Sequence, residues 1–374
     1  MTETRYILAG RLIDGSGAGV RRRVLLEVKD GRITAISPAA DLPSKAAVDD
    51  LSHCTIVPAM VDCSVSLLRS PSVDCRFSPK ENNPEMLERH IRYCHAHGVL
   101  GVAVHDDNAL LRPDLAKAAQ KSLIDIRSSS DAAEADFLRI VYSGNIDDAE
   151  GASVQLDREE LCRRLRNRGK KKAIVLANGS QQVAEALEAG CDAIEQGYGM
   201  GEDNIKKMAE KEVLWIPSLL RAKNALDSSC GGGSVCCRFS TRYVAPGQPV
   251  PGAEAFWKKT LAEQLAQLSL ARQHGVQVAV GTGAGSVGIL HGESVVEEMK
   301  LFIKAEYSLE EAIRCASDNG AKFFGMEQLG WLAVGQRATF LVTRGTAQQL
   351  PRKLAYLEGI YVDGVHSSAY TQHS

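Results

Sequence analysis

The chain has 374 residues and a mass of 40.4 kDa, enough to bury a large core. Its 44 Lys and Arg against 46 Asp and Glu leave a formal charge of -2, which argues against nucleic acid or an anionic membrane as the main partner. The 44% hydrophobic content excludes a disordered chain.

No apolar run reaches the ~18 residues that a membrane span needs, and the opening MTETRYILAG lacks a signal-peptide layout. The ten cysteines are therefore expected to be mostly reduced, in a cytoplasmic protein.

Residues 5–12, 23–29 and 32–36 are rich in β-formers, and Asp30-Gly31 is a hairpin signal between the last two. Eight strand-like apolar segments follow, at 55–67, 99–105, 123–128, 137–143, 173–177, 193–197, 213–219 and 276–282. Helical patterns lie between most of them, at 84–97, 180–188, 203–211 and 253–273. Two more, at 292–305 and 309–317, close the series. The chain ends as it began, with strand-like runs at 338–343 and 359–362 and the turn signal Asp363-Gly364.

Eightfold strand–helix alternation predicts an α/β fold, a (β/α)8 TIM-like barrel over 58–332. The two β-rich ends, 1–57 and 333–374, predict a small composite β-sandwich domain. The competing arrangement is an open doubly wound sheet, but no Gly-rich phosphate fingerprint follows the first strand. Residues 228–252, with three consecutive glycines and three prolines, read as a long loop on the C-terminal rim. Cys230, Cys236 and Cys237 in that loop could be free thiols, a disulfide or part of a metal site.

Four stretches carry a resemblance: 56–67 (IVPAMVDCSVSL), 135–144 (ADFLRIVYSG), 175–197 (VLANGSQQVAEALEAGCDAIEQG) and 278–292 (VAVGTGAGSVGILHG). With the helix at 308–325 and the tail from Leu329, they make the chain similar over nearly its whole length to the amidohydrolase superfamily. The similarity lies with the imidazolonepropionase-like and Xaa-Pro-dipeptidase-like branch. That resemblance implies a barrel with a composite β-sandwich. It also implies hydrolysis of amide, cyclic amide or ester bonds at one or two divalent metals held at strand ends.

The implied ligand positions do not carry ligands. The Asp-x-His-x-His of the first strand becomes Asp62-Cys63-Ser64-Val65-Ser66, with both imidazoles replaced by the hydroxyls of Ser64 and Ser66. The bridging carboxylated Lys falls on Arg139, which stays a cation. The His of the fifth strand falls on Leu176 and that of the sixth on Gln196. The Asp that serves as ligand and general base falls on Gly283. The expectation is the family scaffold without its metal centre, and no cofactor.

Arg139 has two readings: it pairs internally with Glu195 or Asp62, or it offers a fork to a carboxylate or phosphate ligand. In the second, Ser64, Ser66, Asn178, Gln196 and Tyr198 supply polar contacts around it. His105-Asp106-Asp107 ends the second strand as either a structural His–Asp pair or a weak general acid–base candidate. His95-Ala96-His97 looks like a ligand pair, but on a helix i and i+2 face apart, so a structural role is expected. His291 is expected to order a loop.

The leading expectation is a protein inactive as a metallohydrolase, with a small-molecule, anion-binding or regulatory role. The alternative is a hydrolase of carbon–nitrogen or ester bonds with rebuilt, metal-independent or atypical chemistry. A homo-oligomer, or a subunit supporting an active relative, is compatible with both.

Overall fold

The structure is a computed structural model that describes residues 4–44, 46–71, 84–106, 117, 119–121, 123–130, 135–144, 146, 155–229 and 251–368. Both ends of the chain contribute to one seven-stranded sheet. Its strands are β1 (Arg5–Leu12), β2 (Arg21–Lys29), β3 (Arg32–Pro38) and β4 (Val48–Pro58), with β12 (Phe340–Arg344), β13 (Leu357–Val362) and β14 (Val365–His366). The order is β14-β13-β12-β4-β1-β2-β3, and only the β1–β4 pair is parallel. Asp30 and Gly31 take φ of +52° and +75°, and Asp363 and Gly364 take +53° and +74°. Both signals thus make turns with two consecutive left-handed residues, which match the twist of a hairpin.

The segment running into β12 also meets the sheet's far edge: Ile33 N–H donates to Gln336 O at 2.9 Å, and Ala338 N–H to Gly31 O at 2.8 Å. The sheet therefore closes over its own apolar face, which buries Ile7, Leu12, Leu26, Ile56, Phe340 and Val342.

The chain leaves this sheet at Ala59. The run at 55–67 is therefore two strands, β4 and then β5 (Met60–Val65), belonging to different sheets. Parallel strands β5, β6 (Val99–Val104) and β7 (Asp125–Ser128) form one sheet. β8 (Phe137–Val141), β9 (Lys172–Ala177), β10 (Ala193–Gln196) and β11 (Leu214–Ile216) form another.

Parallel bridges Ser129–Phe137, Trp215–Val278 and Val65–Ala284 join the two sheets and residues 277–284 into a closed ring of eight parallel segments. The eighth segment makes bridges without a regular ladder. Gly283 and Gly285 in it take φ of +73° and +93°, conformations that break strand geometry.

The helices are α1 (Pro84–Ala96), α2 (Arg158–Arg166), α3 (Ser180–Glu188), α4 (Glu202–Glu210), α5 (Leu219–Ser229), α6 (Ala253–Gln273), α7 (Glu293–Lys304), α8 (Leu309–Cys315) and α9 (Asp318–Phe323). Two expectations need correction. The run at 213–219 is a strand only over Leu214–Ile216, and from Leu219 the chain is helical to Ser229. The buried Glu298 carboxylate accepts from Leu219 N–H at 2.7 Å and Leu220 N–H at 2.8 Å, which satisfies orphan donors of the new helix. The expected rim loop therefore does not include 228 and 229, and its residues 230–250, with Cys230, Cys236 and Cys237, lie outside the described residues.

The helical stretch at 308–325 is likewise two helices. The carbonyls at the break are taken by the ring: Cys315 O accepts from Val280 N–H and Ala316 O from Val61 N–H, both at 2.8 Å.

Candidate functional site

Ala103, Phe137, Ile174, Ala193, Leu214 and Ala279 meet inside the ring, and Ala321, Phe324 and Met326 pack onto them from below. Side chains two residues further along a strand return to the same face. One layer towards the C-terminal ends, that rule brings His105, Arg139, Leu176, Glu195 and Gly281 inward.

Arg139 Nε donates to Glu195 Oε2 at 2.6 Å, with side-chain exposures of only 13% and 2%. Ser64 Oγ donates to Glu195 Oε1 at 2.8 Å, so both carboxylate oxygens are engaged. Burial works against the ionised form of Glu195. The adjacent Arg139 outweighs it, helped by the hydrogen bond from Ser64, and holds the carboxyl down at about 2. Leu176 is fully buried in this layer. Gly283 takes a left-handed φ, and a Cβ there would approach Arg221 Nε to 2.9 Å.

Among the described residues Asp62 makes no ion pair with Arg139. Thr282 N–H and Oγ donate to its two oxygens at 2.9 and 2.6 Å. Burial pushes its carboxyl up to about 6 despite these bonds.

The polar residues grouped around Arg139 by sequence fall into separate networks. Asn178 Nδ2 donates to Gln196 Oε1 at 2.8 Å and to Gly144 O at 3.1 Å, and its Oδ1 accepts from Tyr198 N–H at 3.0 Å. Tyr198 OH donates to Ser218 O at 2.7 Å. Gln196 has φ of +68°, so its side chain departs from the strand's alternation, and its Oε1 also accepts from Ile146 N–H.

At the rim, Ser66 Oγ donates to Asp106 Oδ1 at 2.6 Å, and Leu68 N–H to Asp106 Oδ2 at 2.9 Å. Asp106 is thus bound to the end of β5 and the turn after it. Asp107 lies outside the described residues.

His105 Nδ1 is buried and has no hydrogen-bond partner among the described residues. Burial first, then Arg139, Arg221 and Arg69, against the opposing Glu195, hold its imidazole well below the usual histidine range. It is therefore neutral. Arg221, on α5 with its Nη2 donating to Ser286 Oγ at 2.8 Å, carries no sequence signal, because Pro217 and Ser218 obscure the start of its helix.

His291 stacks on His90, with ring centroids 3.8 Å apart. His291 Nε2 and His90 Nδ1 lie 2.8 Å from the carbonyls of Ser66 and Leu67. A carbonyl only accepts, so each ring presents its N–H there. His291 thus orders the end of β5, and the expectation that it orders a loop missed its partner His90. His95 bonds Ser367 Oγ and His97 bonds Tyr93 O, so this pair points to two different places. Among the described residues, no three His, Cys, Asp or Glu side chains converge as a metal-holding group.

The model of the amidohydrolase family matches residues 89–365 of the chain. Over 139 residues the chain is 27% identical to an uncharacterized protein of Mycobacterium tuberculosis, a match that covers 37% of this chain. An uncharacterized protein of Mycobacterium bovis matches equally. The chain spans 33% of the length of these curated relatives.

Similar solved structures include a Xaa-Pro dipeptidase with methionine bound in its active site, at TM-score 0.79 and 19% identity, covering 98% of this chain and 100% of that one. Ochratoxinase of A. niger follows at TM-score 0.78 and 16% identity, covering 98% and 95%. A molinate hydrolase matches at TM-score 0.74 and 14% identity, again covering 98% and 95%. At these identities the likeness is one of fold.

Proposed function

We propose, because the chain belongs to the amidohydrolase family, that it keeps that family's scaffold without its metal-dependent hydrolysis, and that its barrel mouth binds a small anion. The Arg139–Glu195–Ser64 cluster carries the first half. A fixed cation stands where the resemblance implies a metal-bridging group, and it consumes the nearest carboxylate together with Ser64. Thr282 engages Asp62, and Leu176 and Gly283 have no side-chain donor atom. This set does not fit a divalent ion, which needs several free imidazoles or carboxylates.

The anion half rests on the positive field at the mouth, where Arg139, Arg221 and Arg69 all act on His105. Neutral His105 adds no charge to that field, Glu195 offsets Arg139, and Asn178, Gln196 and Tyr198 hold the strand ends.

Elemental analysis of the purified full chain should find far less than one zinc, manganese or iron per molecule. Near-stoichiometric metal retained through gel filtration would overturn the first half. Titration with small mono- and dicarboxylates should give saturable binding that Arg221→Gln weakens. Absence of binding across that panel would overturn the second half.

A second reading is hydrolysis of a carbon–nitrogen or ester bond with His105 as general base. It is favoured by the buried, unpartnered, neutral Nδ1. It requires turnover in a panel of dipeptides, acylated amino acids and lactones, abolished by His105→Ala.

The same proposal keeps the protein in a reducing cytoplasm. All six described cysteines are free thiols, and among the described residues no helix is long and apolar enough to cross a membrane. Homo-oligomerisation belongs to the proposal too, and sedimentation of the purified chain tests it.

A further inference from the structure

At the opposite end of the ring from Arg139 and Glu195, α2 ends and β9 begins. Seven of the ten residues 163–172 are Arg or Lys, and none is acidic, in a chain whose net charge is -2. Cations in the last turn of α2 complement the partial negative charge of a helix C-terminus. That effect fades within one turn, whereas the run continues through Lys170, Lys171 and Lys172 into β9.

The run is also folded into a concavity. A groove of about 300 Å³ is lined by Leu138, Arg163, Arg164, Asn167, Arg168 and Lys171. Among the described residues, four of the six that line it are cations and none is an acid. Cations gathered in one depression lower the free energy of an anion that enters it.

The frame is fixed before a ligand arrives. Arg168 Nη1 donates to Gly190 O at 2.7 Å, and its Nη2 lies 3.2 Å from Asp192. Arg163 is held by Glu160 through both Nε and Nη2, at 2.6 Å each. Glu160 and Asp192 are not among the described lining residues, and they orient these two guanidiniums.

We propose that this groove binds a small, multiply phosphorylated molecule. Guanidiniums match phosphate oxygens as two-pronged donors, a lysine adds a point charge, and Asn167 adds a neutral amide. The volume is at the lower end of small-molecule sites, which suits a compact polyphosphate. A nucleic acid would need a longer basic track than one depression on an acidic chain. The site is separate from the anion site proposed at the barrel mouth and stands or falls independently of it.

The test is calorimetric titration of the full-length protein with inorganic tripolyphosphate. One saturable site is expected, weakening as salt rises. Arg164→Gln combined with Lys171→Gln should weaken it about tenfold or more with the unfolding midpoint unchanged. Lys171→Glu alone should also weaken it, as a second variant on the same groove. Arg221→Gln, at the mouth, should leave it unchanged.

No saturable binding, or affinity unchanged in the groove variants, would overturn the proposal. Loss of binding in Arg221→Gln would assign the anion to the mouth instead. Affinity for single-stranded oligonucleotides that grows with length and exceeds that for tripolyphosphate would also overturn it.

Discussion

Arg139 and Glu195 project from β8 and β10, with β9 between them, and meet in the barrel as an ion pair of 2.6 Å. A buried pair adds little net stability over apolar packing, but removing one partner strands the other charge away from water. Arg139→Met or Glu195→Gln alone should therefore cost about 3–5 kcal/mol in denaturant unfolding. The double variant should be clearly more stable than the sum of the two losses predicts. Additive losses would show that the two side chains are not energetically coupled.

Asp62 titrates near 6 in the folded protein, above the ordinary aspartate value of about 3.9. Between those values the folded state holds more protons than the unfolded one, so this group makes the protein less stable as pH rises across the window. Above about pH 7 its effect is constant. Asp62→Asn cannot ionise, so its stability relative to wild type should improve by about 2–3 kcal/mol from pH 4 to pH 7. A difference that does not vary with pH would refute the assignment.

His291 behaves in the opposite sense. Burial, with stacking on His90, holds it down at about 3, below the usual value near 6.5. Its neutral form contributes stability that is complete above about pH 6.5 and is lost as pH falls towards 3. His291→Phe keeps a stacking ring but loses the bond to Ser66 O, and should be about 1 kcal/mol less stable than wild type at pH 7.5. That gap should narrow in melts at pH 5, and a widening gap would count against the linkage.

Gly283 stands where the resemblance implies an acidic ligand. A side chain there meets Arg221 and a left-handed backbone, so Gly283→Ala should lower the unfolding free energy by about 1–3 kcal/mol. Gly283→Asp should be no better tolerated. An Asp variant as stable as wild type, with newly acquired stoichiometric zinc, would mean that the centre is one substitution from a metal site.

Glu298 holds the start of α5, and burial pushes its carboxyl up to about 8. Glu298→Ala should speed hydrogen exchange at Leu219 and Leu220 and destabilise by about 2 kcal/mol. Unchanged exchange at those two amides would remove its capping role.

Much of the architecture was legible because its signals are local. Strand-like runs with helical patterns between most of them, and the dipeptides Asp30-Gly31 and Asp363-Gly364, report on a few neighbouring residues each. The misses lie where local pattern carries no information. Nothing within 55–67 marks Ala59 as the point where the chain passes from one sheet to another. The start of α5 is obscured by Pro217 and Ser218 and is stabilised by a carboxylate 78 or 79 residues away.

The sequence by itself determined the eight segments and their order. The resemblance it carries led to the expectation that Ser64, Ser66, Arg139, Leu176, Gln196 and Gly283 stand at the positions implied for ligands. Only the tertiary structure decided how those side chains spend their bonds. Arg139 could have joined Asp62 or Glu195. Asp62 is instead occupied by Thr282, 220 residues away, and Glu195 is left to Arg139 and Ser64. Closure of the ring sets those distances, and no periodicity along the chain encodes them. The same holds for the basic run at 163–172: the sequence shows its charge, and the fold makes it a groove.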